Sequence, residues 1–162
     1  MSIIVKPHRE LQAKIDSTGD HSISLAIDEF REYKEGSHNP SEIPTPTRKE
    51  QEDFQGVHST FGRDRLFLSP IKCKTLDIHH VHIFQGGCDW GNDDSVIVQW
   101  ECTSNCYLVY SYFLSSKQNH IFCVLDFILD GAHDIYEHPE LPQIHAWCDW
   151  ALDFKNQFED IL

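Results

Sequence analysis

Four side chains in the last third of the sequence could exchange protons with a substrate. His133, Tyr136, His138 and His145 lie within 13 residues of one another. Histidine titrates near pH 6.5, so one histidine can accept a proton while another donates one near neutral pH. A tyrosine beside them could orient the reacting group. The alternative is that these are surface or hydrogen-bonded histidines and a packing tyrosine, because a chain with 11 histidines contains such clusters by chance.

A second group of candidate residues lies in the stretch FGRD at 61–64. The guanidinium of Arg63 is a planar donor that suits a phosphate group. The pair Arg63 and Asp64 could equally be structural, with Asp64 capping backbone amides and Arg63 bridging to acidic residues, and we favour that interpretation. With Arg65, Lys72 and Lys74, Arg63 forms the one notable basic patch of the sequence.

Metal binding is the weaker interpretation at two places. His79, His80 and His82 fall on one predicted strand, where alternation puts His80 and His82 on one face and His79 on the other. Two such histidines can hold a metal, but the carboxylates that follow lack the spacing of a zinc or iron site. Cys102 and Cys106 have no second cysteine pair. We therefore predict no metal and no cofactor.

The composition indicates a folded and strongly acidic protein. Of 162 residues, 40% are hydrophobic and 24% are charged, which excludes a wholly disordered chain, a collagen-like repeat and a coiled coil. Residues 1–72 carry 10 basic and 12 acidic side chains, whereas residues 73–162 carry 3 and 14. A field of this sign repels nucleic acid in general and attracts basic partners.

The length and the apolar pattern predict a single domain in the cytoplasm. A chain of 162 residues has the size of one domain, 1–162. No apolar run approaches the roughly 18 residues that span a membrane. The first residues, MSIIVKPHRE, lack the apolar region of a signal peptide. We therefore interpret the six cysteines as reduced thiols of a cytoplasmic protein.

Hydrophobic periodicity predicts the elements that position the candidate residues. A strand at 2–6 precedes a helix that is capped by Ser22 or Ser24 and ends at Gly36. Residues 37–57 contain three prolines among polar residues and predict a partly mobile loop or inserted linker.

The second part of the chain is predicted to be mostly strands. Four strands follow, at 72–84, 94–102, 106–115 and 120–129, and a helix at 141–162 ends the chain. Asp126 requires a polar partner, because it lies inside an apolar strand. The predicted fold is α+β, with a small antiparallel meander sheet of about four to five strands packed against an N-terminal and a C-terminal helix.

Several motifs in this order resemble a known family. They are DEFREYKEG at 28–36, FGRD at 61–64, YLVY at 107–110, AH at 132–133, and IHAW followed by ALDFKNQF between 144 and 158. The chain resembles YafO-type toxins of bacterial type II toxin–antitoxin systems, which are relatives of the RelE-like ribonucleases. A helix that ends in YKxG and is followed by FGRD is the most specific part of the resemblance.

The resemblance implies a RelE-like toxin that cuts messenger RNA at the ribosome and is silenced by a cognate antitoxin. Such an endoribonuclease needs no metal, because a base takes the 2′-hydroxyl proton and an acid protonates the leaving 5′-oxygen. His133 and His145 match histidines of the family and are predicted to be catalytic together with Tyr136. Arg63, Arg65 and His138 are predicted to contact the RNA. The chain is expected to form a homodimer or a toxin–antitoxin hetero-oligomer.

The sequence departs from the family in its charge. Family members are usually basic in the last strand and helix, whereas residues 129–150 contain no lysine or arginine. A ribosomal RNA surface should repel such a stretch. The alternative function is therefore a non-catalytic protein that binds a basic partner or mimics nucleic acid. A concave patch that gathers the basic residues and histidines would favour the enzyme, and a continuous acidic ridge around the histidines would favour the binding protein.

Overall fold

The computed structural model describes residues 2–36, 42–53, 58–91 and 97–161, with the backbone alone for residues 159–161. The regular elements are β1 (Ile3–Pro7), α1 (Arg9–Thr18), α2 (His21–Glu35), α3 (Arg48–Asp53), β2 (Phe61–Leu66), α4 (Lys72–Thr75), β3 (Ile78–Ile83), β4 (Tyr107–Leu114), β5 (His120–Ile128) and α5 (Pro142–Ile161). Short 3₁₀ helices lie at Gln99–Glu101 and Ala132–Tyr136.

The five strands form one mixed sheet. Its order is β1-β5-β4-β3-β2, so the four consecutive strands from β2 to β5 are an antiparallel meander. The first strand, β1, adds to the edge of β5 in the parallel direction. The predicted α+β class is confirmed, and the parallel edge strand makes the sheet mixed.

Helices cover both faces of the sheet. Apolar residues of α1 and α2, including Leu11, Ile27 and Phe30, pack with one set of strand residues. On the opposite face, Ile144 and Trp147 of α5 pack with the alternate strand residues. The last helix has an apolar stripe that is half-buried at Phe154 and buried at Ile144, Trp147, Cys148, Ala151 and Phe158. The side chain of Ile161 lies outside the described residues. Because helices cover both faces, strand side chains can reach a substrate only where a helix leaves part of the sheet uncovered.

Two of the predicted strands were wrong in position. Residues 72–75 form the short helix α4, and β3 begins only at Ile78. The strand predicted at 94–102 contains a 3₁₀ helix at Gln99–Glu101, while 92–96 lie outside the described residues. The fourth antiparallel strand is β2, whose sequence FGRDRL has three charged residues in six and lacks an apolar pattern.

The start of the predicted N-terminal helix, which is α2, and the proline-rich segment also differ from the prediction. Asp20 caps α2, because its side chain accepts a hydrogen bond from the Ser22 amide, while Gly36 ends the helix as predicted. Within 37–57, residues 48–53 form α3, while 37–41 and 54–57 lie outside the described residues. Thr45 and Gln51 reach the buried Asp64, so the described part of this segment belongs to the packed structure.

Asp126 has the partners that its position requires. One oxygen accepts a hydrogen bond from Trp147 Nε1 at 3.1 Å and the other accepts from the Phe127 amide at 2.8 Å. The ammonium of Lys14 lies 3.9 Å away.

Among the described helices, none has both the length and the apolar character needed to cross a bilayer.

Candidate functional site

A cleft of about 930 Å³ opens on the α5 side of the sheet. Its walls come from the three strands at one end of the sheet and from the 3₁₀ helix that follows β5. The polar side chains that define it are Arg63 and Arg65 of β2, His80 and His82 of β3, Tyr107 of β4, and His133 and Tyr136 of the 3₁₀ helix. None of the described residues lining it is an aspartate or a glutamate.

Strand alternation places the cationic and aromatic groups of the cleft next to one another. Arg65 is the register partner of His80 on β3, and His82 is the register partner of Tyr107 on β4. Successive residues of a strand point to opposite faces, so His79, which precedes His80, faces α2 and stacks on Tyr110 at 5.0 Å between ring centroids. The predicted division of the three histidines between two faces is confirmed.

Arg63 is fixed by the 3₁₀ helix at Gln99–Glu101. Its Nε donates to the carbonyl oxygen of Trp100 at 2.6 Å, and its guanidinium carbon lies 4.4 Å from the centre of a Trp100 ring. Burial lowers the pKa of Arg63, and the nearby cations Arg65 and Arg48 lower it further. Arg63 lines the cleft, and none of the described ion pairs includes it, so the predicted bridge from Arg63 to acidic residues is not found in the described part of the chain.

His133 is held in a defined tautomer at the rim of the cleft. Its Nδ1 lies 2.7 Å from the amide oxygen of Asn105, which can only accept, so Nδ1 carries a proton and donates it. In neutral His133 the other ring nitrogen, Nε2, therefore carries the lone pair that can accept a hydrogen bond. It lies 3.3 Å from the hydroxyl of Tyr107. Asn105 and Tyr107 together orient Nε2 as a proton acceptor.

The floor of the cleft consists of two histidines that are neutral at pH 7. Burial lowers the pKa of His80 to about 3 and that of His82 to about 4. The Ser104 amide nitrogen lies 2.8 Å from His82 Nδ1 and donates to it, and the Ser104 carbonyl oxygen lies 3.0 Å from the same ring nitrogen. Nδ1 of His80 is buried without a hydrogen-bond partner. The positive charge of the cleft therefore comes from its arginines.

The opposite face of the same strands holds a closed polar network. Lys34 of α2 donates to the carboxylate of Asp64 at 2.7 Å and to the Tyr110 hydroxyl at 3.0 Å. Tyr33, Thr45 and Tyr110 donate to the same carboxylate at 3.0, 2.9 and 2.7 Å. The side chains of Lys34 and Asp64 are 1% and 0% exposed, so this ion pair is cut off from solvent.

The charges of this network compensate one another. Burial alone would raise the pKa of Asp64, but the Lys34 ammonium, His79 and the hydrogen bonds outweigh it and hold the pKa below its usual value. Asp64 has a structural position, as favoured, but the predicted capping of backbone amides was wrong, because its carboxylate binds side chains. The two residues that stand out in YKEG and FGRD, Lys34 and Asp64, thus stabilise the fold beneath the cleft.

Four of the six predicted site residues meet in the cleft. Arg63, Arg65, His133 and Tyr136 line it. His138 and His145 are exposed and are not among its lining residues; His138 instead accepts a hydrogen bond from the Glu140 amide. The basic residues Lys72 and Lys74 also lie outside the lining. The patch that the structure assembles is smaller than the predicted one but is concave and cationic.

Sequence reasoning missed Tyr107 and Asn105 as partners of His133, and considered His80 and His82 only as metal ligands. A usable signal was present, because Arg63, Arg65, His80, His82 and Tyr107 alternate along three strands that pair in register. Within the described part of the chain, no three His, Cys, Asp or Glu side chains form a group that could hold a metal ion.

A comparison with models of protein families gave one informative result. Residues 31–156 match the model of toxin YafO, of type II toxin–antitoxin systems. Searches of curated proteins and of solved structures gave no significant match. The matched segment includes α3, the whole cleft, Lys34 and Asp64, and most of α5. Because it covers more than half of the sequence, the chain belongs to the YafO toxin family of type II toxin–antitoxin systems.

Proposed function

We propose that this toxin is an endoribonuclease that cuts messenger RNA at the ribosome and thereby inhibits translation. The observation that carries the proposal is the composition of the cleft. Two arginines, two tyrosines and three histidines line it, with no carboxylate among the described lining residues, in a chain of net charge −13. Such a local reversal of charge is suited to an anionic substrate.

In the proposed reaction, His133 is the general base. Its Nε2 takes the proton of a 2′-hydroxyl, the freed oxygen bonds to the adjacent phosphorus, and the bond from phosphorus to the 5′-oxygen breaks. Arg63 and Arg65 stabilise the charge that develops on the phosphoryl oxygens. This mechanism needs no metal ion or cofactor.

Tyr136 is the proposed donor to the leaving 5′-oxygen. Burial raises its pKa, so the phenol keeps its proton at neutral pH and can donate to the departing group or to a phosphoryl oxygen. His145 was the sequence-based candidate for this role, but it is exposed on α5 and outside the cleft lining. The proposal therefore assigns the acid role to Tyr136, and His145 serves as the control in the test.

The family implies an antitoxin as protein partner. We propose that the antitoxin covers the cleft and contacts the acidic second half of the toxin through a basic surface. The toxin would then act in the cytoplasm, where the ribosomes are, once the antitoxin is removed. The alternative, a non-catalytic binding protein, draws support from the 14 acidic side chains of residues 73–162.

Induced expression in a bacterial host separates the two functions. The wild type should arrest growth and fragment messenger RNA, and His133→Ala should relieve both while keeping the folded structure. His145→Ala is the matched control, because it removes a histidine that lies outside the cleft, and it should remain toxic. If growth and messenger RNA stay intact with the wild type, the binding protein becomes the better account.

A further inference from the structure

The cationic surface of the cleft continues past its rim. Arg48 of α3 lies on the ring of Trp100, with its guanidinium carbon 4.7 Å from the ring centroid, and Arg63 lies 4.4 Å from a centroid of the same side chain. Arg65 follows on β2 inside the cleft. We call Arg48, Trp100, Arg63 and Arg65 the arginine strip. One tryptophan thus contacts two guanidinium groups, one in the cleft and one outside it.

We propose that the arginine strip is an RNA-binding subsite, which holds the phosphates on one side of the scissile bond as the single strand leaves the cleft. This inference rests on the proposed function, since it extends the path of the same substrate.

The distribution of charge supports this assignment. The chain has five arginines, Arg9, Arg31, Arg48, Arg63 and Arg65, and three of them meet here although the protein carries twice as many acidic as basic residues. The three are close enough that Arg65 and Arg48 both lower the pKa of Arg63. Adjacent cations repel one another, and the attraction of each cation to a bound polyanion would offset that repulsion.

The pairing of the three arginines shows where an anion is needed. Among the described ion pairs, Arg48 takes part in one, with Glu52, whose Oε1 lies 2.7 Å from Arg48 Nε on the exposed face of α3. Among the described ion pairs none involves Arg63 or Arg65. Nε is one of several donors of a guanidinium, so Arg48 keeps further N–H groups for a phosphate. Release from Glu52 should make Arg48 a stronger ligand.

Trp100 acts in this strip as a positioning residue. Its backbone carbonyl accepts from Arg63 Nε at 2.6 Å while its ring carries both guanidinium groups. Cation–π contacts favour this arrangement and reduce the freedom that the two side chains lose when RNA binds. A single strand suits the strip better than a duplex does, because the strip is continuous with a cleft in which one 2′-hydroxyl must reach His133.

The test measures RNA affinity in a background that cannot cut. A labelled single-stranded RNA of about ten nucleotides is titrated with the full-length His133→Ala protein at several salt concentrations. Adding Arg48→Ala should weaken binding by about two- to tenfold. The slope of log affinity against log salt should fall by about 0.7, the value for one phosphate contact on a single strand.

Two matched variants sharpen the result. Lys49→Ala removes the neighbouring exposed cation, which has no described contact with Trp100, and should leave both affinity and slope near the parent values. Glu52→Gln releases Arg48 and should tighten binding. An opposite effect of Arg48→Ala and Glu52→Gln cannot arise from a general loss of folding.

The outcomes separate the strip from the proposed function. If RNA binds but Arg48→Ala behaves like Lys49→Ala, the strip is overturned and the ribonuclease stands. If the isolated protein binds no RNA while the wild type still cuts messages on ribosomes, the strip is overturned as well. If there is neither binding nor cutting, the proposed function fails together with the strip. Equal binding of an acidic peptide would replace RNA with a protein partner.

Discussion

The two faces of strands β2, β3 and β4 differ in how their charged side chains are paired. On the α2 face, Asp64 and Lys34 are buried and each is met by several hydrogen bonds. On the cleft face, Arg63 and Arg65 are adjacent to Asp64 in sequence but point to the other side, where no described carboxylate opposes them. The charges of the α2 face are paired with each other, and the arginines of the cleft face are available to an anionic ligand.

This difference separates residues that maintain the fold from residues available for chemistry. A buried ion pair is held by the groups around it, and an unpaired buried charge is costly, so the network tolerates little change. The exposed groups of the cleft, Arg65, His133 and Tyr136, can be replaced at a small cost in stability, because water reaches them. Substitutions in the buried network of the α2 face should therefore change the free energy of unfolding, and substitutions of groups that face the cleft opening should mainly change activity.

The largest expected effect follows from breaking the closed network. Asp64→Ala leaves the buried Lys34 ammonium without its counter-ion, and the free energy of unfolding should fall by about 3–5 kcal/mol. Urea denaturation followed by fluorescence measures this. The control is Asp28→Ala, which breaks an exposed pair with Arg31 on α2 and should cost no more than about 1 kcal/mol. Similar losses in the two variants would contradict the contrast between the faces.

A pH titration of stability tests the neutral floor of the cleft. The pKa of His80 is about 3 in the folded protein and near 6.5 in the unfolded chain. As pH falls below 6.5, the unfolded chain therefore binds a proton that folded His80 excludes, and stability falls by about 1.4 kcal/mol per pH unit from this residue.

His80→Phe removes this contribution. Between pH 6.5 and 5 the variant should lose about 2 kcal/mol less stability than the wild type. At pH 7.5 it should be at least as stable, because it no longer buries an unpartnered Nδ1. His145→Gln, at an exposed position, should keep the wild-type profile. If the stability of His80→Phe fell with pH as steeply as that of the wild type, His80 would not be excluded from protonation in the folded protein, and the neutral floor of the cleft would be contradicted.

The last comparison is between two tyrosines on one strand. Tyr110→Phe removes a donor to Asp64 and should cost about 1.5–3 kcal/mol of stability, with little change in the rate of RNA cleavage by the folded protein. Tyr107→Phe removes the hydroxyl beside His133 Nε2 and should lower that rate several-fold with little change in stability. If both variants changed the same quantity, the two faces would not divide stability from chemistry.

Much of the fold could be predicted because its periodicity is strong. The helical spacing of apolar residues predicts α5, and the apolar runs at 106–115 and 120–129 predict β4 and β5. Strand β2 could not be found in this way, because FGRDRL has one fully buried apolar side chain, Phe61, and is otherwise held by its pairing with β3 and by the ion pair of Asp64 with Lys34 of α2. The helix α3 was hidden for a similar reason, since its buried residue is Gln51, which bonds the Asp64 backbone.

The site was predictable residue by residue only in part. His133, Tyr136 and Arg63 were found from residue type and motif, and they meet in the cleft. The partners of His133 were not, because Asn105 and Tyr107 are more than 25 residues away in sequence and only the chain path brings them close. His145 was proposed from its proximity in sequence and from the family resemblance, but in the structure it lies outside the cleft lining.

The most direct test of the central claim is the chemistry of the cut ends. Purified wild-type protein is incubated with ribosomes and a defined message, and the fragment termini are identified. Attack by a 2′-oxygen with His133 as the base predicts 2′,3′-cyclic phosphate and 5′-hydroxyl ends, absent with His133→Ala and retained with His145→Ala. An intact message, cutting that persists in His133→Ala, or 5′-phosphate ends would contradict the account.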